Sequence, residues 1–174
     1  MVTNNITLSG ARILFRNFSG NANQFNAKGN RNFCVIIEDP ELVRALERDG
    51  WNIRYLQPRE EGDEPQAYLQ VKVQFPKEGS KARPPKIVLV TSGGNTILDE
   101  ETVSMLDYAE ISNVDMILRP YNWEVQGKSG VKAYLKSIYV TIVEDELEKK
   151  YAAMESSALS GITKGVENDG SLPF

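Results

Sequence analysis

Basic and aromatic side chains recur together along this sequence, and the clearest case is segment 12–18, which reads RILFRNF. This segment sets Arg12 and Arg16 beside aromatic rings. Cationic side chains neutralise phosphates while aromatic rings stack on bases, and single-stranded nucleic acids are held by this combination. The residue types therefore predict a nucleic-acid-binding surface.

Four further segments carry basic residues, and three of them also carry aromatic residues. Loop 19–32 is polar and contains aromatic and basic residues but no acidic residue, and the alternating segment 66–75 has a polar face. Loop 76–86 is rich in Lys and Arg, and segment 119–136 is both basic and aromatic. The candidate nucleic-acid-binding residues are Arg12, Arg16, Phe18, Phe25, Lys28, Arg31, Tyr68, Lys72, Arg83, Arg119, Tyr121, Trp123, Lys132, Tyr134 and Lys136.

Not every aromatic residue is assigned to this surface. Phe15 and Phe33 have apolar neighbours, which predicts a place in the core. Phe18 falls on the face of Arg12 and Arg16 if the strand alternation continues through it, so we expect its ring to be exposed. Tyr134 is also expected on the surface, because it shares a strand face with basic residues on either side.

Catalytic and metal-binding patterns are not found in the sequence. The chain has no histidine, which removes the commonest general base and metal ligand, and its one cysteine, Cys34, has no base to activate it. Phosphate-binding and metalloprotease motifs are also missing. The consecutive carboxylates Asp99, Glu100 and Glu101 would diverge around a helix start instead of converging on a cation. We therefore expect a non-enzymatic protein with no cofactor and no metal.

The elements that must position these residues are mostly strands. Segments 6–18, 33–37, 51–56, 66–75, 86–91, 114–125 and 131–143 are strand candidates. One helix is well marked, because Asp39 can cap it, Pro40 suits its first position and Gly50 ends it. Shorter helices are predicted at 99–106 and 145–154. This pattern predicts a mainly β fold, an oligonucleotide-binding (OB) Greek-key barrel with an added hairpin, and an immunoglobulin-like sandwich is the alternative.

The net charge of −4 is concentrated at one end of the chain. Residues 1–143 contain 17 basic and 17 acidic residues, whereas residues 144–174 contain 3 and 7. We therefore predict an OB-fold nucleic-acid-binding domain over 1–143, followed by an acidic C-terminal helix and flexible tail over 144–174. The sequence shows neither a membrane-spanning run nor a secretion signal, so we expect a cytoplasmic protein.

A β-rich body with basic-aromatic strands, followed by a polar tail that closes on NDGSLPF, resembles the single-stranded DNA-binding proteins of bacteria and bacteriophages. Bacterial members end in an acidic tip that closes with Ile-Pro-Phe, and phage tails also close on an aromatic residue. The body resembles the phage-encoded group through segments 16–20, 33–36 and 127–135. The matching tail positions are Asp169, Leu172, Pro173 and Phe174.

This resemblance implies sequence-independent binding of single-stranded DNA (ssDNA) during phage DNA replication, recombination and repair, in the cytoplasm of the host cell. It also implies that the tail docks Phe174 and its carboxylate on replication or recombination proteins. The tip departs from bacterial tails, because only Glu167 and Asp169 stand where those tails carry several aspartates. Two alternatives stay open, an RNA-binding OB protein and a β-sandwich adaptor. The oligomeric state, a homo-oligomer included, is also open.

Overall fold

A computed structural model describes residues 1–24, 26–145, 147, 150, 151, 153 and 154. Within these residues the chain forms nine strands in one sheet, an α-helix over Pro40–Arg48 and one 3₁₀ helix, and residues 147, 150, 151, 153 and 154 are also helical. The strands are β1 (Ile6–Leu8), β2 (Ile13–Asn17), β3 (Arg31–Ile36), β4 (Ile53–Leu56), β5 (Gln66–Val73), β6 (Lys86–Thr91), β7 (Gly94–Leu98), β8 (Ile111–Val125) and β9 (Lys128–Ile142). The last strand thus ends one residue before the predicted domain boundary at residue 143.

The well-marked helix forms where the capping residues predict it. Helix α1 spans Pro40–Arg48, and the Asp39 side chain accepts a hydrogen bond of 3.0 Å from the Glu41 backbone N–H. Leu46 is the buried residue of this helix and packs into the hydrophobic core. The predicted helix at 99–106 is a 3₁₀ helix over Val103–Asp107, and the predicted helix at 145–154 falls partly outside the described residues.

The main path of the sheet runs β1-β8-β9-β5-β3-β2. The segment between β1 and β2 brings the two ends of this path together. The Ala11 N–H donates to the Val114 carbonyl of β8 at 2.9 Å, and the Arg12 carbonyl accepts from the Ile36 N–H of β3 at 3.0 Å. The sheet is therefore curled into a partly open barrel, and the β6–β7 hairpin is added beside β9. This architecture confirms the predicted mainly β barrel.

The barrel interior is filled by one face of the alternating strands. Along β5, Ala67, Leu69, Val71 and Val73 are buried, and the residues between them face outward. Side chains at i and i+2 share one face of a strand, so the period of two predicted for this segment sorts core from surface. The outward residues of β5 then become available for a ligand.

A bulge in β2 overturns two predictions about phenylalanines. Leu14 pairs with Cys34 and Asn17 pairs with Asn32, so β2 has one more residue than β3 in this interval. The extra residue moves the later side chains of β2 to the opposite face. The expected exposure of Phe18 is therefore wrong, because its side chain is fully buried and stacks on Phe33 at 5.2 Å.

The expected burial of Phe15 is wrong for the same reason. Phe15 lies inside the bulge with a φ of 51°, in the left-handed region, and its side chain is 65% exposed. A bulge re-aims the residue that it contains. The two phenylalanines have thus exchanged the places that simple alternation predicts.

Candidate nucleic-acid interface

Four outward side chains form a row across the middle of the barrel. Asn32 of β3 pairs with Lys72 of β5, Lys72 with Tyr134 of β9, and Tyr134 with Arg119 of β8. Residues directly opposite each other in neighbouring strands project from the same face of a sheet. The row is on the outer face, because the adjacent Val71 lies in the core.

Tyr134 supports a second, more exposed ring at the end of this row. The rings of Tyr121 and Tyr134 are stacked, with centroids 5.0 Å apart and planes 19° apart. The Arg119 guanidinium lies 4.7 Å from the Tyr134 centroid, and the Lys72 ammonium lies 5.7 Å from it. Because these groups cover it, Tyr134 is only 8% exposed, so its expected surface position is wrong, whereas Tyr121 is 46% exposed. Tyr121 therefore offers the stacking surface, which we call the Tyr121 platform.

A cleft of about 290 Å³, the central cleft, lies beside the platform between β3, β5 and β9. Apart from one alanine, its described lining is made of cations and amides, with no acidic side chain: Asn26, Asn30, Arg31, Asn32, Asn52, Arg54, Gln70, Lys72, Lys132 and Ala133. Four cations facing one cleft make a positive potential that favours a polyanion. The cleft can hold a phosphate backbone next to the platform.

A second cleft of about 580 Å³, the lateral cleft, lies on the other side of Tyr134. It receives Arg83 from the loop before β6, together with Lys86, Arg119 and Lys136. No carboxylate is present among the described residues that line it. The basic loop 76–86 and the basic strand β9 are thus brought to one surface, which continues the positive face past the platform.

A third cleft of about 860 Å³, the Phe15 cleft, adjoins the central cleft at the β2 end of the sheet. Phe15, Tyr68 and Tyr108 lie on its walls, and it shares Arg54 with the central cleft. Cys34 lies in its lining, and burial raises the pKa of this thiol while the charge of Arg54 acts in the opposite direction. The thiol is therefore neutral at pH 7.

Three predicted arginines have local partners. Arg16 donates to the Leu106 and Ala109 carbonyls at 2.8 and 2.7 Å, which ties the end of β2 to the 3₁₀ helix. Arg31 lines the central cleft but also pairs with Glu100 at 3.7 Å. Arg12 lies 3.8 Å from Glu38. Part of the hydrogen-bonding and ion-pairing capacity of these arginines is therefore used by contacts within the protein.

The remaining candidates fall in different places. Lys28 is exposed on the loop between β2 and β3. Trp123 packs over Gly130, away from the three clefts, and its ring N–H is buried without a hydrogen-bond partner among the described residues. Phe25 and the tail positions Asp169, Leu172, Pro173 and Phe174 lie outside the described residues.

The sequence reasoning missed three residues that line these clefts. Arg54 lies between the central cleft and the Phe15 cleft, and Tyr108 is 83% exposed at the end of the 3₁₀ helix. Arg54 belongs to the segment WNIRYL, which is itself basic and aromatic, so the same signal could have found it. Phe15 could not be found by strand alternation, because the bulge reverses the alternation at that point.

The part of the chain that the structure describes brings together no group of three Cys, Asp or Glu side chains that could hold a metal ion. Within the same residues, no helix combines the length and apolarity needed to cross a membrane.

The structure resembles that of the single-stranded DNA-binding protein from bacteriophage Enc34, with a TM-score of 0.51, 10% identity, and coverage of 81% of this chain and 82% of that one. The same phage protein in complex with ssDNA also gives a TM-score of 0.51 and 10% identity, with 81% and 88% covered. This likeness shows a shared fold. No curated protein matches the chain in sequence.

Residues 1–170 match the family described as phage ssDNA-binding domain. The match covers nearly the whole chain and includes every strand that contributes to the three clefts. The family is one of nucleic-acid binders, which confirms the expectation of a non-enzymatic protein. The chain therefore belongs to the family of phage single-stranded DNA-binding domains.

Proposed function

We propose that this protein binds ssDNA without sequence specificity and protects it during phage DNA replication and recombination. The observation that carries the proposal is the central cleft, whose described lining has four cations and no acid, beside the exposed Tyr121 ring. The family match and the Enc34 protein in complex with ssDNA support it.

The two parts of this surface would act on different parts of the nucleic acid. Lys72 and Lys132 would neutralise phosphates, and the release of condensed counterions would provide salt-dependent affinity. Tyr121 would stack on a base, which is possible with any of the four bases because each has a π-face. Contacts of these two kinds carry little sequence information, so binding would be independent of sequence.

Tyr134 would contribute by positioning the platform, not by direct stacking. Its ring is covered by Tyr121 and by the guanidinium of Arg119, so no base can reach it without displacing them. Removing Tyr134 would leave Tyr121 without the ring on which it rests. We expect the Tyr134→Ala variant to bind more weakly for this reason.

Fluorescence anisotropy of a labelled oligo-dT at two salt concentrations tests the proposal. We expect salt-sensitive binding that duplex DNA and RNA displace poorly, and a loss of roughly 1–3 kcal/mol in Tyr121→Ala. Tyr55→Ala is the matched control, because Tyr55 is similarly exposed, at 45%, but donates to Glu47 on α1. No binding at low salt contradicts the proposal. Equal competition by RNA would favour an RNA-binding protein instead.

We also propose that the C-terminal tail contacts replication or recombination proteins through its last residues. The support is the sequence of the tail, in which Asp169 precedes the closing Leu172, Pro173 and Phe174. Docking of a terminal aromatic ring and carboxylate is a known way to recognise a C-terminus.

Deletion of residues 167–174 tests the role of the tail. Oligo-dT affinity should stay equal or rise slightly, because the deletion removes negative charge that competes for the basic surface. Binding to purified replication and recombination proteins of the phage and its host should be lost. A large loss of DNA affinity, or unchanged partner binding, contradicts the proposal.

A further inference from the structure

The Phe15 cleft has a feature that packing does not explain. Phe15 has a φ of 51°, which L-residues rarely adopt, and its ring is 65% exposed. Left-handed backbone is unfavourable for a residue with a Cβ atom, and such outliers cluster at binding sites. An exposed ring gains little from burial that would offset this strain. The conformation is therefore unlike that of an ordinary core or surface phenylalanine.

The neighbouring residues hold Phe15 in this conformation. On one side, Leu14 keeps its pairing with Cys34 in β3. On the other side, the Arg16 guanidinium is bonded to two carbonyls of the 3₁₀ helix region. The Asp107 carboxylate accepts hydrogen bonds from the Phe18 and Ser19 backbone N–H groups at 2.6 and 3.1 Å. The backbone around the bulge is fixed by these bonds, so the ring is presented to the cleft by the fold.

The cleft has the chemistry of a base-binding site. Tyr68 and the highly exposed Tyr108 share its walls with Phe15, so a planar base would meet aromatic surface. Arg54 stands at the junction with the central cleft, where a phosphate would pass. Asp107 is the one acid among the described lining residues, and its two oxygens accept the backbone bonds of Phe18 and Ser19.

From these observations we propose that the Phe15 cleft is a second base-stacking subsite for ssDNA. One strand would cross the outer face of the sheet from the Tyr121 platform, over the central cleft, to Phe15. The path from β8 through β9, β5 and β3 to β2 covers four strand spacings, or about 19 Å. This inference rests on the proposed ssDNA binding and adds a second point of contact to it.

The first test is the affinity of Phe15→Gly for an oligo-dT of about 12 nucleotides, a length within the ~4–16 nucleotides that OB folds cover. Glycine accepts the left-handed backbone, so the fold is kept while the ring is lost. We expect binding about 5- to 150-fold weaker, the equivalent of one lost stacking contact. Ile97→Ala is the control, because Ile97 is 70% exposed on β7, outside the three clefts.

The second test places a reporter in the cleft. In Phe15→Trp, the same oligo-dT should quench the added fluorescence relative to the wild-type protein, because the indole would stack on a base. If the wild-type protein binds oligo-dT but Phe15→Gly binds equally well and Phe15→Trp is not quenched, the second subsite is wrong and the proposed function stands. If the wild-type protein does not bind oligo-dT, both proposals are wrong.

Discussion

Residues on the outer face differ in their contacts with neighbouring groups, and these contacts decide which of the residues a ligand can reach. Tyr121 is stacked on one side and open on the other, whereas Tyr134 is enclosed by Tyr121 and Arg119. Arg16 and Arg31 donate to backbone carbonyls, so part of their hydrogen-bonding capacity is used by the fold. A basic or aromatic residue type is thus a necessary condition for binding DNA, and local contacts decide its role.

The strained backbone of Phe15 leads to a prediction about stability. Left-handed backbone costs an L-residue roughly 1–2 kcal/mol, while glycine adopts it without this penalty. We therefore expect Phe15→Gly to be about 1 kcal/mol more stable than Phe15→Ala. Urea unfolding of the two variants measures this difference in the free energy of unfolding.

The matched control is the comparison of Ile97→Gly with Ile97→Ala, for which we expect a stability difference of the opposite sign. Ile97 lies in β7 and is not among the described residues with positive φ. At such a position glycine is destabilising relative to alanine by roughly 0.5–1 kcal/mol. If Phe15→Ala is at least as stable as Phe15→Gly, the backbone at residue 15 is not left-handed in solution.

Among the elements, the β8–β9 hairpin carries the largest share of the proposed interface. Both strands have 15 residues, and their pairing places Arg119 opposite Tyr134 and Tyr121 opposite Lys132. Further toward the turn, Trp123 lies directly opposite Gly130. The hairpin can keep this register only if the indole ring fits over a residue without a side chain.

This packing predicts that Gly130→Ala is destabilising. A Cβ atom at residue 130 would lie 2.7 Å from Trp123 Cζ2 and 2.9 Å from Asn52 Oδ1, both closer than van der Waals contact. Overpacking of this kind typically costs about 1–3 kcal/mol. Thermal or urea unfolding should show the loss. The neighbouring Ser129→Ala, at an exposed position, should change stability by no more than about 0.5 kcal/mol. Equal stability of the two variants contradicts the observed packing.

In the whole molecule, positive charge is gathered on one face although the described body has no net excess of it. Residues 1–143 carry equal numbers of basic and acidic residues. The central and lateral clefts nevertheless have eight cations and no acid among their described lining residues. A cleft lined by one sign of charge concentrates the potential and attracts the opposite charge.

This charge separation predicts the salt dependence of binding. For single strands, the logarithm of the affinity falls with the logarithm of the salt concentration by about 0.7 for each phosphate neutralised. The double variant Lys72→Gln and Lys132→Gln should therefore lower the slope of oligo-dT binding by about 1.4. Anisotropy titrations over several salt concentrations measure the slope.

The control for the salt experiment is Arg44→Gln, because Arg44 is an exposed cation on α1, outside the three clefts. This substitution removes one positive charge, as each lysine substitution does, but it should leave the slope nearly unchanged. If Arg44→Gln lowers the slope as much as each lysine substitution does, binding depends on net charge and not on the central cleft.

Local sequence features were sufficient to predict several parts of this protein. Alternation along segment 66–75 identified which residues of β5 enter the core, and Asp39 with Pro40 identified the start of α1. The recurrence of basic and aromatic residues along the chain predicted nucleic-acid binding, in agreement with the family match. The predictions for β5 and α1 held because they depend on side chains within a few positions of each other, where the periods of strand and helix apply directly.

The arrangement of the site depends on contacts that are distant in the sequence. The β2 bulge, which exchanges the places of Phe15 and Phe18, arises from pairing with β3 and is not visible in the alternation of β2 alone. The row of Asn32, Lys72, Tyr134 and Arg119 joins four strands through their registers. Residue types can be read along the chain, but the register between strands sets which of them face the same cleft, and register is a property of the folded sheet.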